Sequence, residues 1–237
     1  MRNAWIIARR ELYAYFVSPI AYLVAAAFLL LSGLFFVVGA ARWQDATLQP
    51  MFGSLSIVLI FLAPVLTMRL LSREQDQGTI ELLLTAPVRD WEVVTGKFLS
   101  SLVYYAGTLA LTGLYIPVLV LYGHPDLGTI GSGYLGLVLL GAALLALGVL
   151  SSSLTGNQIV AAVIGIVASV GLWLLDLLGS LFGGGVQQLI GYLTPSGHYY
   201  NLIDGIVDTR DLIYYLSATF LFLFLASRVI EARRWRG

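Results

Sequence analysis

Six long apolar runs alternate with shorter polar segments along this chain: Ile20–Ala41, Phe52–Met68, Phe98–Tyr122, Tyr134–Leu154, Ile159–Leu175 and Leu212–Ser227. None contains Lys, Arg, Asp or Glu. About 20 apolar residues at a 1.5 Å rise cross the hydrocarbon core, and a central charge costs about 2.5–3.5 kcal/mol, so runs this long and clean predict spanning helices. The second and sixth runs are short and are expected to gain a turn from their neighbours. A membrane β-barrel would need strands of about ten residues alternating apolar and polar. These runs are longer and apolar on every side, so the expected fold class is an all-α membrane protein with six transmembrane helices in a single domain over residues 1–237.

Two segments outside the runs carry their own patterns. From Asn3 to Phe16, Trp5, Ala8, Leu12, Tyr15 and Phe16 recur at helical spacings while Arg9 and Arg10 fall on other faces. This predicts an N-terminal interfacial amphipathic helix within residues 1–19, with its apolar side in the headgroup region. It serves as an anchor, or as a lever to the first span. Ser18-Pro19 should break it, because a residue before proline disfavours the helical region. The connection 176–211 is too long for a simple turn and is interrupted by Gly183-Gly184-Gly185, so short outer helices are expected there.

Charge then orients the bundle. The stretch Arg69–Lys97 holds nine of the 26 charged side chains, between uncharged runs on both sides. Within it, Gly78 to Pro87 reads as a short helix closed by a proline, a docking element for a soluble partner. Eleven of the 13 basic residues fall on the side of both termini and this loop, and two, Arg42 and Arg210, on the other. The positive-inside rule places the termini and the 69–97 loop in the cytoplasm. At 59% hydrophobic and 11% charged residues, with mean hydropathy +0.88, a soluble fold is excluded. No removed signal peptide is expected. The absence of cysteine rules out disulfides and thiolate metal sites.

Catalytic chemistry is sparse. A phosphate-binding loop G-x-x-x-x-G-K-[ST] has one partial match, at Gly96-Lys97, but Trp91 stands where the first glycine belongs and Phe98 where Ser or Thr is required. Lys97 reads instead as a cytoplasmic boundary charge at the start of the third span. Ser132, Ser151–Ser153 and His198 do not assemble a nucleophile with its base, and small serines in spans serve packing or bond to the preceding turn. Only His124 and His198 offer imidazole ligands, and they are not spaced for a metal. The alternative function is an ion- or proton-coupled secondary transporter, with Pro64 and Pro117 as kinks. It is disfavoured because the spans hold no ionisable group. The aromatics Tyr22, Phe28, Phe35, Tyr104, Tyr105, Tyr115 and Trp173 suit a hydrophobic cargo, or equally a lipid-facing surface.

The residues resemble the permeases of type-2 ABC transporters, particularly the gliding-motility-associated branch. The likeness is carried by Arg10-Glu11-Leu12 with Tyr15 to Ile20, by Met68-Arg69, Glu74 and Gln77 to Val88, and by Asp90-Trp91 and Gly96 to Leu99. Ser151 to Gln158, His198-Tyr199 and Gly205 to Tyr215 add to it. The resemblance implies a transmembrane permease subunit of an ATP-driven exporter in the plasma membrane, not itself an enzyme. It implies two permease chains, identical or paralogous, driven by a separate ABC ATPase that binds ATP and Mg, with no cofactor in this chain. It also implies a cytoplasmic coupling helix over Thr79, Ile80, Glu81, Leu82, Leu83, Leu84 and Thr85. Glu81 and Thr85 would be its polar face, and Ile80, Leu83 and Leu84 the knobs that seat in the ATPase. The inner turn Thr155, Gly156, Asn157 and Gln158 would be a second cytoplasmic contact.

Overall fold

The structure, a computed structural model, describes residues 2–43, 47–79, 88–182 and 190–234. Helices follow one another as α1 (Arg2–Val17), α2 (Pro19–Trp43), α3 (Gln49–Thr67), α4 (Arg69–Asp76), α5 (Asp90–Leu111), α6 (Tyr115–Tyr122), α7 (Leu127–Leu154), α8 (Gln158–Phe182), α9 (Pro195–Ile203) and α10 (Thr209–Arg234). Six stretches are long and apolar enough to cross a membrane: α2, α3 with α4, α5 with α6, α7, α8 and α10. Their order and number match the six apolar runs of the sequence. The second span reaches from Gln49 to Asp76, and the sixth from Thr209 to Ala232.

Helix α7 is the axis of the bundle. In its apolar window 78% of the residues are buried, against 17% in α10 and 22% in α2 and α8, whose outer faces suit lipid. It packs against α3, α4, α5, α8, α9 and α10, while α2 packs on α3 and α1 on α5. Small residues let it sit there. A Cβ on Gly148 would lie 2.0 Å from Thr67 Oγ1 of α3, so the two backbones approach as only glycine permits. The helix begins on Asp126, whose carboxylate accepts from the Gly128 amide at 2.9 Å and the Thr129 hydroxyl at 2.6 Å. Those bonds hold the Asp126 carboxyl below its usual value.

The third span is interrupted. A 3-10 turn at Thr112–Leu114 separates α5 from α6, one turn ahead of Pro117, whose ring opposes the carbonyl of the preceding turn. Buried tyrosines tie the bundle together by donating to backbone carbonyls: Tyr104 to Ala21, Tyr105 to Leu137, Tyr199 to Phe52 and Tyr215 to Pro195, at 2.7–2.9 Å. Tyr104, Tyr105 and Phe28 are therefore core residues rather than a lipid-facing surface. In the connection 176–211, α8 continues to Phe182 and α9 follows from Pro195.

The amphipathic reading of α1 needs correcting. Ala4, Ala8 and Tyr15 are buried, whereas Trp5, Ile6, Tyr13 and Phe16 are exposed. The helix thus has two apolar sides, an inward one of Ala4, Ala8 and Tyr15 with Ile7 and Leu12 against the bundle and an outward aromatic one suited to a headgroup layer. Combining Trp5 with Ala8 in one face merged these sides. The break at Ser18-Pro19 is present, and the Ser18 carbonyl accepts the first amides of α2 from Ala21 and Tyr22.

Candidate functional site

The end of the bundle that carries the N-terminus and the 77–89 loop is organised by one group of charges. Lys97 of α5 reaches Glu74 of α4 at 2.8 Å and Glu11 of α1 at 3.1 Å, and Arg10 reaches Glu11 at 2.7 Å and Glu74 at 3.3 Å. Only 1% of the Lys97 side chain is exposed. Burial pushes the Glu11 carboxyl up, but the charge of Lys97 and hydrogen bonds from Arg10 and Lys97 overcome it and hold it below its usual value. Lys97 stands near the start of the third span, as expected, and is buried there against two carboxylates, which its place beside the apolar run did not show. Residues 90–97 are already helical, so helical register carries Lys97 onto the packed face with Val93, Val94, Ser101 and Tyr104.

This group ties three helices at one point. The helix α4 is the last segment before the loop and α5 the first after it, so both stems of 77–89 are fixed to each other and to α1. Steric contact reinforces the charges: a Cβ on Gly96 would lie 2.7 Å from the Ala4 carbonyl oxygen and 2.9 Å from Ile7 Cβ. Asn3 adds a hydrogen bond to Glu92 at 3.2 Å, and the Glu92 carboxylate also accepts from the Arg89 amide. Asp90 and Glu92 occupy the first turn of α5, where negative charge favours the helix dipole.

The helical hydrogen bonding of the second span is interrupted beside this group. Met68 separates α3 from α4, and the hydroxyl of Ser152 on α7 fills the gap. It donates to the Met68 carbonyl at 2.8 Å and accepts from the amides of Leu71 and Ser72, both at 3.0 Å. Ser151 and Ser153 bond within their own helix, to Gly148 and Leu150, as small serines in spans do. Of the three hydroxyls only that of Ser152 reaches another helix.

Gln75 carries the connection onward. Its side-chain amide donates to the Ser153 carbonyl at 2.9 Å, so α4 caps the C-terminal end of α7. The turn after α7 is held by Asn157, whose Oδ1 accepts from the amides of Ile159 and Val160 at the start of α8. A Cβ on Gly156 would lie 3.5 Å from the Asp76 amide nitrogen, so Thr155–Gln158 packs against the end of α4. Of the coupling residues expected from sequence, Thr79 is exposed and its hydroxyl faces the Glu74 carbonyl at 3.4 Å. Ile80, Glu81, Leu82, Leu83, Leu84 and Thr85 lie outside the described residues. The structure thus brings the start of the 77–89 loop and the Thr155–Gln158 turn together.

A second polar group occupies the opposite end. His198 Nδ1 lies 2.6 Å from Asp211, its Nε2 lies 3.2 Å from the Tyr192 carbonyl, and its ring stacks on Tyr214 at 4.2 Å. Asn201 donates to the other Asp211 oxygen at 3.2 Å. These contacts bind α9 to α10. The Ser132 hydroxyl donates to the Thr129 carbonyl at 3.0 Å, and His198 is committed to Asp211 and Tyr192, so the two have separate structural roles.

Sequence reasoning missed Glu11, Glu74, Gln75 and Ser152 as joint members of the first site. One signal was available for Lys97: extending the helical register of the third span back to Asp90 puts it in line with apolar positions. No sequence signal pairs it with Glu11, 86 residues away.

Six helices long and apolar enough to span among the described residues, with a charged segment between the second and third and a short turn between the fourth and fifth, describe a multi-pass membrane protein. Residues 13–232 match the ABC-2 family transporter protein family, and the chain belongs to that family of ABC transporter membrane permeases. Two relatives come from Escherichia coli (strain K12). The probable multidrug ABC transporter permease YbhR is 30% identical over 97 residues, covering 40% of this chain and 25% of that protein. The probable multidrug ABC transporter permease YbhS is 23% identical over 187 residues, covering 77% of this chain and 49% of that protein. The chain thus spans about half the length of YbhS, or less of YbhR.

Proposed function

We propose that this chain is the permease half of an ATP-driven exporter in the plasma membrane, with both termini cytoplasmic. Two permease chains pair around a path, and two copies of a separate ABC ATPase, which binds ATP and Mg, dock on the face formed by Thr79–Thr85 and Thr155–Gln158. The observation that carries this reading is the buried contact of Lys97 with Glu74 and Glu11 at the roots of the 77–89 loop. A force on a loop with loose stems would be absorbed locally. Here it reaches α1, α3, α5 and, through Ser152, the central helix α7. ATP binding and release would then rock packed helices between two arrangements, as a coupled two-state element requires.

The positive-inside asymmetry supports the orientation, and the run from Met68 to Val88 supports placement in the gliding-motility-associated branch. The absence of Lys, Arg, Asp and Glu from the six apolar runs, together with the multidrug naming of the relatives, favours an apolar or amphipathic cargo.

Site-directed cross-linking tests the docking face. The chain lacks cysteine, so single cysteines at Thr79, Asn157 and, as an outer-end control, Thr129 can be placed without a background. Co-expressed with its ATPase, the first two should cross-link to that subunit and the third should not. Cross-links from Thr129 but not from Thr79 or Asn157 would refute the docking face and the orientation.

A further inference from the structure

The ring of His198 meets an acceptor at each nitrogen. An Asp211 carboxylate oxygen lies 2.6 Å from Nδ1, and the Tyr192 carbonyl oxygen lies 3.2 Å from Nε2. A neutral imidazole has a single N–H. Placed on Nδ1, that proton leaves the Nε2 lone pair against the Tyr192 carbonyl. Placed on Nε2, it leaves the Nδ1 lone pair against a carboxylate. With Asp211 ionised, only the doubly protonated ring donates to both.

Three features keep the proton on the ring rather than on Asp211. Asn201 donates to the other carboxylate oxygen at 3.2 Å. Asp211 stands in the first turn of α10, where the helix dipole favours negative charge. The Tyr214 ring stacks on the imidazole at 4.2 Å, and an aromatic face favours a cation.

The other ionisable groups nearby are few. Asp208 and Arg210, of opposite sign, line one cleft with Tyr192 and His198. On α10, Tyr214 and Tyr215 donate to the Leu193 and Pro195 carbonyls. On α9, Tyr199 donates to the Phe52 carbonyl and Tyr200 is exposed. Of the remaining helices packed on α9, α3 carries no titratable residue, α7 only Tyr134 and α8 only Asp176. The ring also has a route to water: its side chain is 12% exposed, against 3% for Asp211, and it borders that cleft.

What the ring holds is α9. On the bundle side this helix is fixed by Tyr199 to α3 and by Gln49, which donates to the Ile203 carbonyl. On the other side His198 links it at once to α10 and to the segment that leads into it. We propose that His198 is a proton-operated latch: protonated, it clamps α9 between Asp211 and the Tyr192 carbonyl, and deprotonated, it must release one of them. The tie therefore loosens as the surrounding pH rises. Under the orientation proposed above, on which this clause rests, the latch senses the pH outside and acts at the end from which cargo leaves.

Solid-state NMR of the full-length chain in bilayers, 15N-labelled at histidine, tests the latch. The chain has two histidines, so His124→Asn assigns the spectrum. At about pH 7.5, where a free imidazole is mostly neutral, both His198 nitrogens should carry protons. Asp211→Asn supplies an amide N–H to Nδ1 and should convert the ring to the neutral Nε2–H form at the same pH. Spin labels on cysteines at Tyr200 of α9 and Leu216 of α10, both exposed, should give a distance distribution that broadens between about pH 7 and about pH 10. His198→Gln should remove that dependence. A single protonated nitrogen in the wild-type ring at about pH 7.5 would overturn the proposal. So would a distribution that ignores pH, or one whose broadening survives His198→Gln. Neither readout involves an ATPase or an orientation, so failure here is distinct from failure of the exporter reading.

Discussion

Lys97 and Glu74 lie 2.8 Å apart with the ammonium almost fully buried, so the two stems of the 77–89 loop are bonded together before the loop begins. Glu11 completes the bond from a third helix at 3.1 Å. A buried pair of this kind contributes little relative to an apolar replacement of both partners, but removal of one partner leaves a charge without compensation.

Lys97→Met should therefore destabilise the chain by about 3–5 kcal/mol, measured as the shift in denaturation midpoint in detergent. The triple variant Lys97→Met/Glu11→Gln/Glu74→Gln, which removes the two carboxylates then left with Arg10 alone between them, should recover much of that loss. A shift of less than about 1 kcal/mol for Lys97→Met, as for an exposed pair, would show that the group is solvated.

The same group sets a dependence on pH. The folded-state carboxyl of Glu11 lies below its ordinary value of 4.5, so its stabilising contribution is complete above that value. The contribution is lost as pH falls through the folded value. The difference in thermal midpoint between wild type and Glu11→Gln should be largest near neutrality and close on acidification below 4.5. A difference that widens toward acid would contradict the assignment.

Ser152 is expected to matter out of proportion to its size. Ser152→Ala removes the acceptor used by the Leu71 and Ser72 amides and one of the two hydroxyls that donate to the Met68 carbonyl, the other being that of Ser72, so it should cost about 1–3 kcal/mol. Ser151→Ala and Ser153→Ala remove bonds only within α7 and should cost less. Denaturation of the three variants side by side checks the order.

How much of this was legible beforehand depended on periodicity. The spans were, because twenty apolar residues in a row admit one solution in a membrane. The break at Ser18-Pro19 was, because proline acts on its immediate neighbour. The faces of α1 were not: Ala8 and Trp5 score alike as apolar, yet one faces the bundle and the other faces out. The burial of Lys97 was not legible because charge beside an apolar run ordinarily ends a span, and its two carboxylate partners are 86 and 23 residues away in sequence. Long-range pairing of side chains is a property of the assembled bundle. The proposed docking face on Thr79–Thr85 and the Thr155–Gln158 turn came from family likeness, and the packing of Gly156 beside Asp76 bears only on how that turn meets α4.

Gly96 offers a way to separate α1 from α5 without altering a charge. Gly96→Leu places side-chain atoms where Ala4 and Ile7 now lie, so α1 must move away or the bundle must shift. Spin labels on cysteines at Arg9 and Trp91, both exposed, should report a longer and broader distance in the variant. An unchanged distribution would mean that α1 is not held by this contact.

The central claim is that a separate ATPase drives this chain through the loop whose stems the charge group fixes. The direct measurement is ATP hydrolysis by the purified complex, with co-elution of the subunits followed in the same preparation. Glu81→Ala/Leu83→Asp should abolish co-elution of the ATPase while membrane insertion is unchanged. Lys97→Met, assayed at a temperature where it remains folded, should keep co-elution but lose cargo-stimulated hydrolysis. Retention of both association and stimulated hydrolysis in the two variants would contradict the account.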